Sequence, residues 1–228
     1  KTIYCTIDMA GIDRFRDDYL VQRASTRKSL GISENDIVFL QVGTVTRRKA
    51  QMFSLDAFIR LKSKYKVKNA KLIFVGARSF RPGEKDYLDN INKKITEYGL
   101  EDDVRIYDVQ ENVNKFFLVS DSLVPPSINE VLPLAILEAC YFELPVIVSN
   151  LDGMPEIIVN NKNGFLVNPF DTNSICSAML ALVKDPSLRT RLGTNARKEV
   201  VKQHAQEVFN ENYSHLVQYV TECFERAN

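Results

Sequence analysis

Tryptophan is absent from this 228-residue chain, and histidine occurs only at His204 and His215. A histidine-based catalytic triad is therefore not expected. The four cysteines, Cys5, Cys140, Cys176 and Cys223, stand 135, 36 and 47 residues apart and form no CxxC pair. Neither a zinc site nor a disulfide framework is expected, and the thiols point to a reducing, cytoplasmic compartment. No apolar run approaches the roughly 18 residues of a membrane span, and the N-terminus lacks the pattern of a signal peptide. Charge of neither sign is in excess: 30 basic and 29 acidic side chains leave a net charge of +1. A surface built for nucleic acid is accordingly not expected. Both the GxGxxG dinucleotide fingerprint and the Walker phosphate loop are missing. The chain opens with Lys1 rather than Met and is read as an excised part of a longer protein.

What is present is an alternation of short apolar runs with helical patterns. Strands are expected at 2–6, 37–42, 71–75, 104–107, 121–124, 146–149 and 164–167. Several are apolar throughout, as in DIVFLQV and KLIFVG, which suits strands buried on both faces. The segment 52–65 places Phe53, Ala57, Phe58 and Leu61 on one helical stripe, and a second helical pattern, 84–98, ends at Gly99. From 171 to 226 the chain reads as helix, punctuated by Asp185-Pro186 and Gly193. Such alternation predicts an α/β domain with a doubly wound, Rossmann-like parallel sheet and a helical C-terminal tail. No internal repeat or linker divides it, so residues 1–228 are read as one domain.

Ligands of open parallel sheets bind beyond the carboxyl ends of the strands. There the sequence collects Gly43-Thr44-Val45-Thr46-Arg47-Arg48-Lys49, Gly76-Ala77-Arg78, Pro125-Pro126-Ser127-Ile128-Asn129-Glu130 and Asn150-Leu151-Asp152-Gly153. Small residues, cations and a carboxylate on one sheet edge suit a ligand with phosphates. Ser127 or Asn129 is expected to cap a helix whose first turn holds Pro133, leaving free N–H groups for an anion. Glu130 and Glu138 would then lie about 12 Å apart along that helix. A paired-carboxylate hydrolase wants roughly 5 to 9.5 Å, so two acceptors touching different parts of one long ligand fit better. Read alone, Glu130 could equally be a carboxylate favoured by the helix dipole, Glu138 a solvated helix residue, and 47–49 a solvated turn.

Taken together, PSINEVLPLAILEA (126–139), with its Glu130 and Glu138 in Glu-x7-Glu spacing, resembles the signature of retaining family-4 glycosyltransferases of the GT-B fold. Gly43–Lys49 as GxxxxxK after a strand, LIFVG at 72–76, ELPVIVSNLDGMPEII at 143–158 and NNKNGFLVNPFD at 160–171 agree with that family in order and spacing. The resemblance covers nearly the whole chain and matches the family's C-terminal, nucleotide-sugar-binding half. It implies that the N-terminal acceptor domain is absent from this chain, with residues 3–15 leading in from the interdomain crossover. By resemblance, Lys49 contacts the donor diphosphate, with Gly43 before it and Arg48 beside it. Glu130 contacts the transferred sugar, Glu138 holds the ribose hydroxyls, and backbone amides from Val131 through Leu132 to Pro133 face the phosphates. Lys49 and Glu130 thus carry the catalytic roles this half offers.

The family's arginine after the first glycine is Thr44 here, its glycines after the lysine and the first glutamate are Ala50 and Val131, and its Gly-Gly is Asp152-Gly153. The activity implied is transfer of a hexose from a nucleotide sugar to a glycan, lipid or polysaccharide acceptor with retention of configuration. The leaving diphosphate would take the acceptor proton, and neither a cofactor nor a metal is required. A degenerate GT-B module kept for binding or assembly, and an epimerase-like GT-B enzyme, are the alternatives. The basic run Arg60, Lys62, Lys64, Lys66, Lys68 and Lys71 is read as a solvated helix end, or else as contact with an anionic membrane. The terminal pattern Val208, Tyr213, Leu216, Val217, Val220 and Phe224 is read as core of this domain, or else as a face for the absent one.

Overall fold

Six of the seven expected strands are present in the computed structural model, which describes residues 4–19, 22–78 and 81–227. Helices α1 (Met9–Tyr19) and α2 (Arg23–Ser29) precede β1 (Ile37–Val42), α3 (Gln51–Ser63), β2 (Ala70–Ala77), α4 (Pro82–Glu97) and β3 (Val104–Asp108). Then come α5 (Asn114–Val119), β4 (Ser122–Leu123), α6 (Leu134–Tyr141), β5 (Ile147–Ser149), α7 (Met154–Ile157) and β6 (Phe165–Val167). The chain closes with α8 (Thr172–Lys184), α9 (Pro186–His204) and α10 (Gln206–Ala227). All pairings are parallel, and a bridge from Leu123 to Val146, just ahead of β5, joins the two ladders. The resulting order is β3-β2-β1-β4-β5-β6. Chain direction across the sheet reverses between β1 and β4, and crevices of doubly wound sheets open at that switch point.

Alternation along the central strands feeds two cores. Val38, Leu40, Ile73 and Val75 pack toward α5, α6 and α9, while Phe39, Leu72 and Phe74 pack toward α3, α4 and α8. All are buried, which is why these runs carry no polar face. Asp185 ends α8 and caps α9 by accepting from the Leu188 N–H at 3.0 Å, with Pro186 in the first turn. Gly193 does not interrupt α9. A side chain there would place its Cβ 1.9 Å from the Glu143 carbonyl oxygen, so glycine serves close packing.

Three expectations are corrected. The 2–6 segment forms no strand at residues 4–6, while residues 2 and 3 lie outside the described residues. It is tied instead to the helices, through the Tyr4 hydroxyl on Glu156 and His204 Nδ1 on the Cys5 carbonyl. The helix expected from 127 starts only at Leu134. Lastly, α10 is no core helix: Tyr213, Leu216, Val217, Val220 and Phe224 are exposed. The chain accordingly exposes 11882 Å², against about 10,500 Å² expected from its mass.

Candidate functional site

The switch point is built from two loops held by buried amides. After β1, Gln41 donates from Nε2 to the Lys49 carbonyl at 2.6 Å, and its Oε1 accepts from the Ser54 hydroxyl at 2.8 Å. Gln51 brackets the same loop, accepting the Thr46 N–H at 3.2 Å and donating to the Thr44 carbonyl at 3.0 Å. Both glutamines are buried, so the loop is preorganised by bonds shielded from water. The turn Arg47–Lys49 is 3₁₀, closed by Ala50 in the left-handed conformation at φ 59°. Lys49 folds back over Gly43, whose φ of 138° is a conformation that residues with side chains rarely adopt.

The second loop follows β4. The Ile128 N–H donates to the Arg48 carbonyl at 3.0 Å, and Arg48 NH1 donates to the Asn129 carbonyl at 2.8 Å. Glu130 thereby meets both cations: Lys49 Nζ at 2.5 Å, and Arg48 through a direct ion pair. Its backbone N–H is taken by the Asp152 carboxylate at 2.9 Å. These ties, and Pro133, which disfavours helix at the residue before it, keep 127–133 out of the helix. Pro133 is the helix N-cap and makes no side-chain cap bond. Ser127 and Asn129 therefore do not cap α6, and the Ser127 hydroxyl is buried without a hydrogen-bond partner. The expected 12 Å axial spacing of Glu130 and Glu138 does not apply, because only Glu138 is helical. Pro133 has no N–H and offers no donor to an anion; Val131 and Leu132 do, and helix geometry leaves the first N–H groups of α6 open.

Glu138 is half-buried on the face of α6 that begins at Leu134 and Ala135. Burial pushes its carboxyl above the ordinary carboxylate range. No hydrogen bond or ion pair holds that carboxylate among the described residues. Val131 is 83% exposed, and a hollow of about 370 Å³ borders Val131, Leu132, Gly153 and Glu156. Arg47, by contrast, turns away from Glu130 and lines a larger cavity, about 600 Å³, between α3 and α4.

Gly43, Arg48, Lys49, Glu130, Val131 and Leu132 are thus brought together at the switch point, and Glu138 follows on the next helix. Sequence reasoning missed Gln41, Gln51 and Ser54, whose polar character inside an apolar strand and helix is a signal, and gave Asp152 no role of its own. No group of three or more His, Cys, Asp or Glu side chains among the described residues could share a metal ion. No helix among them is long and apolar enough to cross a membrane. Two cations of the basic run, Lys62 and Lys71, share Asp103 at 2.7 and 3.0 Å. Burial raises the Asp103 carboxyl, but these two lysines outweigh it and hold the carboxyl low.

The pattern for glycosyl transferases group 1 matches residues 22–199. N-acetyl-alpha-D-glucosaminyl L-malate synthase of Bacillus anthracis is 26% identical over 187 residues, covering 82% of this chain and 46% of that protein. An uncharacterized glycosyltransferase of Methanocaldococcus jannaschii is 26% identical over 190 residues, covering 81% of this chain and 45% of its own length. The chain thus spans just under half the length of these curated relatives. Among solved structures, Anabaena HepE in complex with UDP-glucose superposes with a TM-score of 0.84 at 21% identity, over 96% of this chain and 56% of that one. That likeness supports the fold, and the match over 22–199 supplies the rest: this chain belongs to the glycosyl transferases group 1 family.

Proposed function

We propose that this chain is the donor-binding half of a retaining glycosyltransferase, with the nucleotide sugar seated at the β1/β4 switch point. The observation that carries the reading is the convergence of Lys49 and Arg48 on Glu130 at the carboxyl ends of β1 and β4. Lys49 and Arg48 take the diphosphate, the N–H groups of Val131 and Leu132 face it, and Glu130 accepts from sugar hydroxyls. Glu138, with an unpartnered carboxylate, accepts from the ribose. In the transfer, the bond from the anomeric carbon to the diphosphate oxygen breaks and a bond to the acceptor oxygen forms. The acceptor proton passes to the departing diphosphate. Cations fixed where that charge develops supply the catalytic stabilisation of this half, so no divalent cation is assigned a role. The relatives' further length supplies the acceptor side, for a glycan, lipid or polysaccharide, and the setting is cytoplasmic, at most peripheral to a membrane.

The test is thermal unfolding with UDP, GDP and ADP, each with and without a sugar, repeated on Glu138→Ala and Lys49→Ala. A ligand at 100 times its dissociation constant stabilises by about 2.7 kcal/mol. The reading expects one nucleotide to raise Tm, an unchanged response in EDTA, and loss of the rise in both variants. A flat response to every nucleotide at millimolar concentration would favour a degenerate module, a reading that the Asp152 carboxylate at the Glu130 N–H also favours.

A further inference from the structure

The basic turn divides its cations. Arg48 and Lys49 close on Glu130, whereas Arg47 lines the cavity of about 600 Å³ with Met52, Phe53, Tyr87, Lys93 and Ile128. That volume lies within the roughly 300–1,000 Å³ of small-molecule pockets, and an apolar lining with few polar groups is their usual chemistry. The floor is braced rather than loose. The Tyr87 hydroxyl accepts the Met52 N–H at 2.9 Å, and the Phe53 ring packs edge-on against Phe170 with centroids 5.9 Å apart.

The rim is cationic. Arg47 and Lys93 are exposed and form no ion pair with a described carboxylate. Lys94 also lines the cavity, tied to Asp56. One carboxylate, Glu97, faces these three cations, a turn beyond Lys93 on α4. Apolar walls under unpaired cations recognise a molecule with an apolar body and an anionic head.

We propose that this cavity is a second binding site, separate from the switch-point crevice, for an amphipathic organic anion. An aryl or alkyl body packs on Met52, Phe53, Tyr87 and Ile128, and a phosphate or carboxylate is held by Arg47 with Lys93 nearby. The occupant touches both segments that build the crevice, since Arg47 adjoins Arg48 and the Ile128 N–H is bonded to the Arg48 carbonyl. The site rests on its own lining and does not require that the crevice take a nucleotide sugar.

Calorimetric titration of the chain with 1-naphthyl phosphate and octyl phosphate tests this, with inorganic phosphate and octyl glucoside as controls. Saturable one-to-one binding is expected for at least one of the two amphiphiles, and the tighter names the body as aryl or alkyl. Losing one charge-assisted contact in Arg47→Ala weakens binding by about tenfold or more. Lys93→Ala weakens it less, and Lys49→Ala leaves it unchanged, because Lys49 belongs to the crevice. Four results each overturn the proposal: no saturable binding of either amphiphile, equal affinity in Arg47→Ala, loss in Lys49→Ala, or inorganic phosphate binding as tightly as the amphiphiles. The Arg47 and Lys93 side chains are exposed, so unchanged Tm values in their variants separate loss of binding from loss of fold.

Discussion

The side-chain carboxylate of Asp152 accepts the backbone N–H of Glu130 at 2.9 Å, tying the loop after β5 to the loop after β4. Asp152 holds a left-handed conformation at φ 51°, which aspartate tolerates better than most residues. Asp152→Ala removes the bond and leaves a β-carbon in that conformation, so stability falls by about 1–2 kcal/mol in urea unfolding. Asp152→Asn keeps an acceptor and the backbone preference and falls by less. Equal losses in the two variants would refute the stabilising role of that bond.

Ala50 closes the basic turn in the left-handed region, at φ 59° and ψ 34°. Relief of that strain outweighs the extra freedom glycine gives the unfolded chain. Ala50→Gly therefore stabilises by about 0.5–1 kcal/mol, read from the denaturant midpoint at constant m. A loss of stability would show that the turn is not strained.

Gly153 lies against the second loop, where an added Cβ would meet the Val131 carbonyl oxygen at 1.9 Å. Backbone cannot yield as a side-chain tip does. Gly153→Ala is expected to cost about 1–3 kcal/mol, as overpacking does, and to displace 130–132. Chemical shifts of the Val131 and Leu132 amides in a heteronuclear NMR spectrum report that displacement directly.

Glu138 carries a carboxyl that burial pushes up. The fold therefore favours its protonated form. The stability it contributes is complete below the unfolded carboxylate pKa of about 4.3 and is lost as pH rises through the folded value. Glu138→Gln has no such loss, so its Tm exceeds that of the parent at pH 7 and the gap closes toward pH 4. A gap that persists or widens in acid would contradict this assignment.

Glu130 pairs with both Lys49 and Arg48. Glu130→Gln frees both cations, so whichever nucleotide raises the parent's Tm is expected to bind several-fold more tightly and with a steeper salt dependence. The same change removes the acceptor proposed for the sugar, so the nucleotide sugar should no longer bind differently from its free nucleotide. Titrations at two salt concentrations read both effects.

Much of the fold was legible because burial on both faces forces continuous apolar runs. Six strands from Ile37 onward were placed to within about two residues, and the stripe of α3 was read from Phe53, Ala57, Phe58 and Leu61, of which the last three are buried and Phe53 only partly so. The helix start at 127 was misplaced because long-range bonds to 127–133 compete with local capping. Those bonds come from Arg48 and Asp152, distant in sequence. The exposed face of α10 was misread as core for a related reason: helical periodicity records which side chains share a face, not whether anything covers it.

The sequence by itself determined the parallel α/β class and the edge where cations and a carboxylate gather, since these follow from period and spacing; Gly43, Arg48, Lys49, Glu130 and Glu138 stood out there as candidates, and it was the resemblance that gave them roles. Only the tertiary structure decided that Arg47 leaves its two neighbours for another cavity, that Gln41 and Gln51 lock the loop, and that Asp152 holds Glu130. The direction of a side chain at a turn and the partner of a backbone N–H are set by contacts between segments far apart in the chain, and no local pattern encodes them.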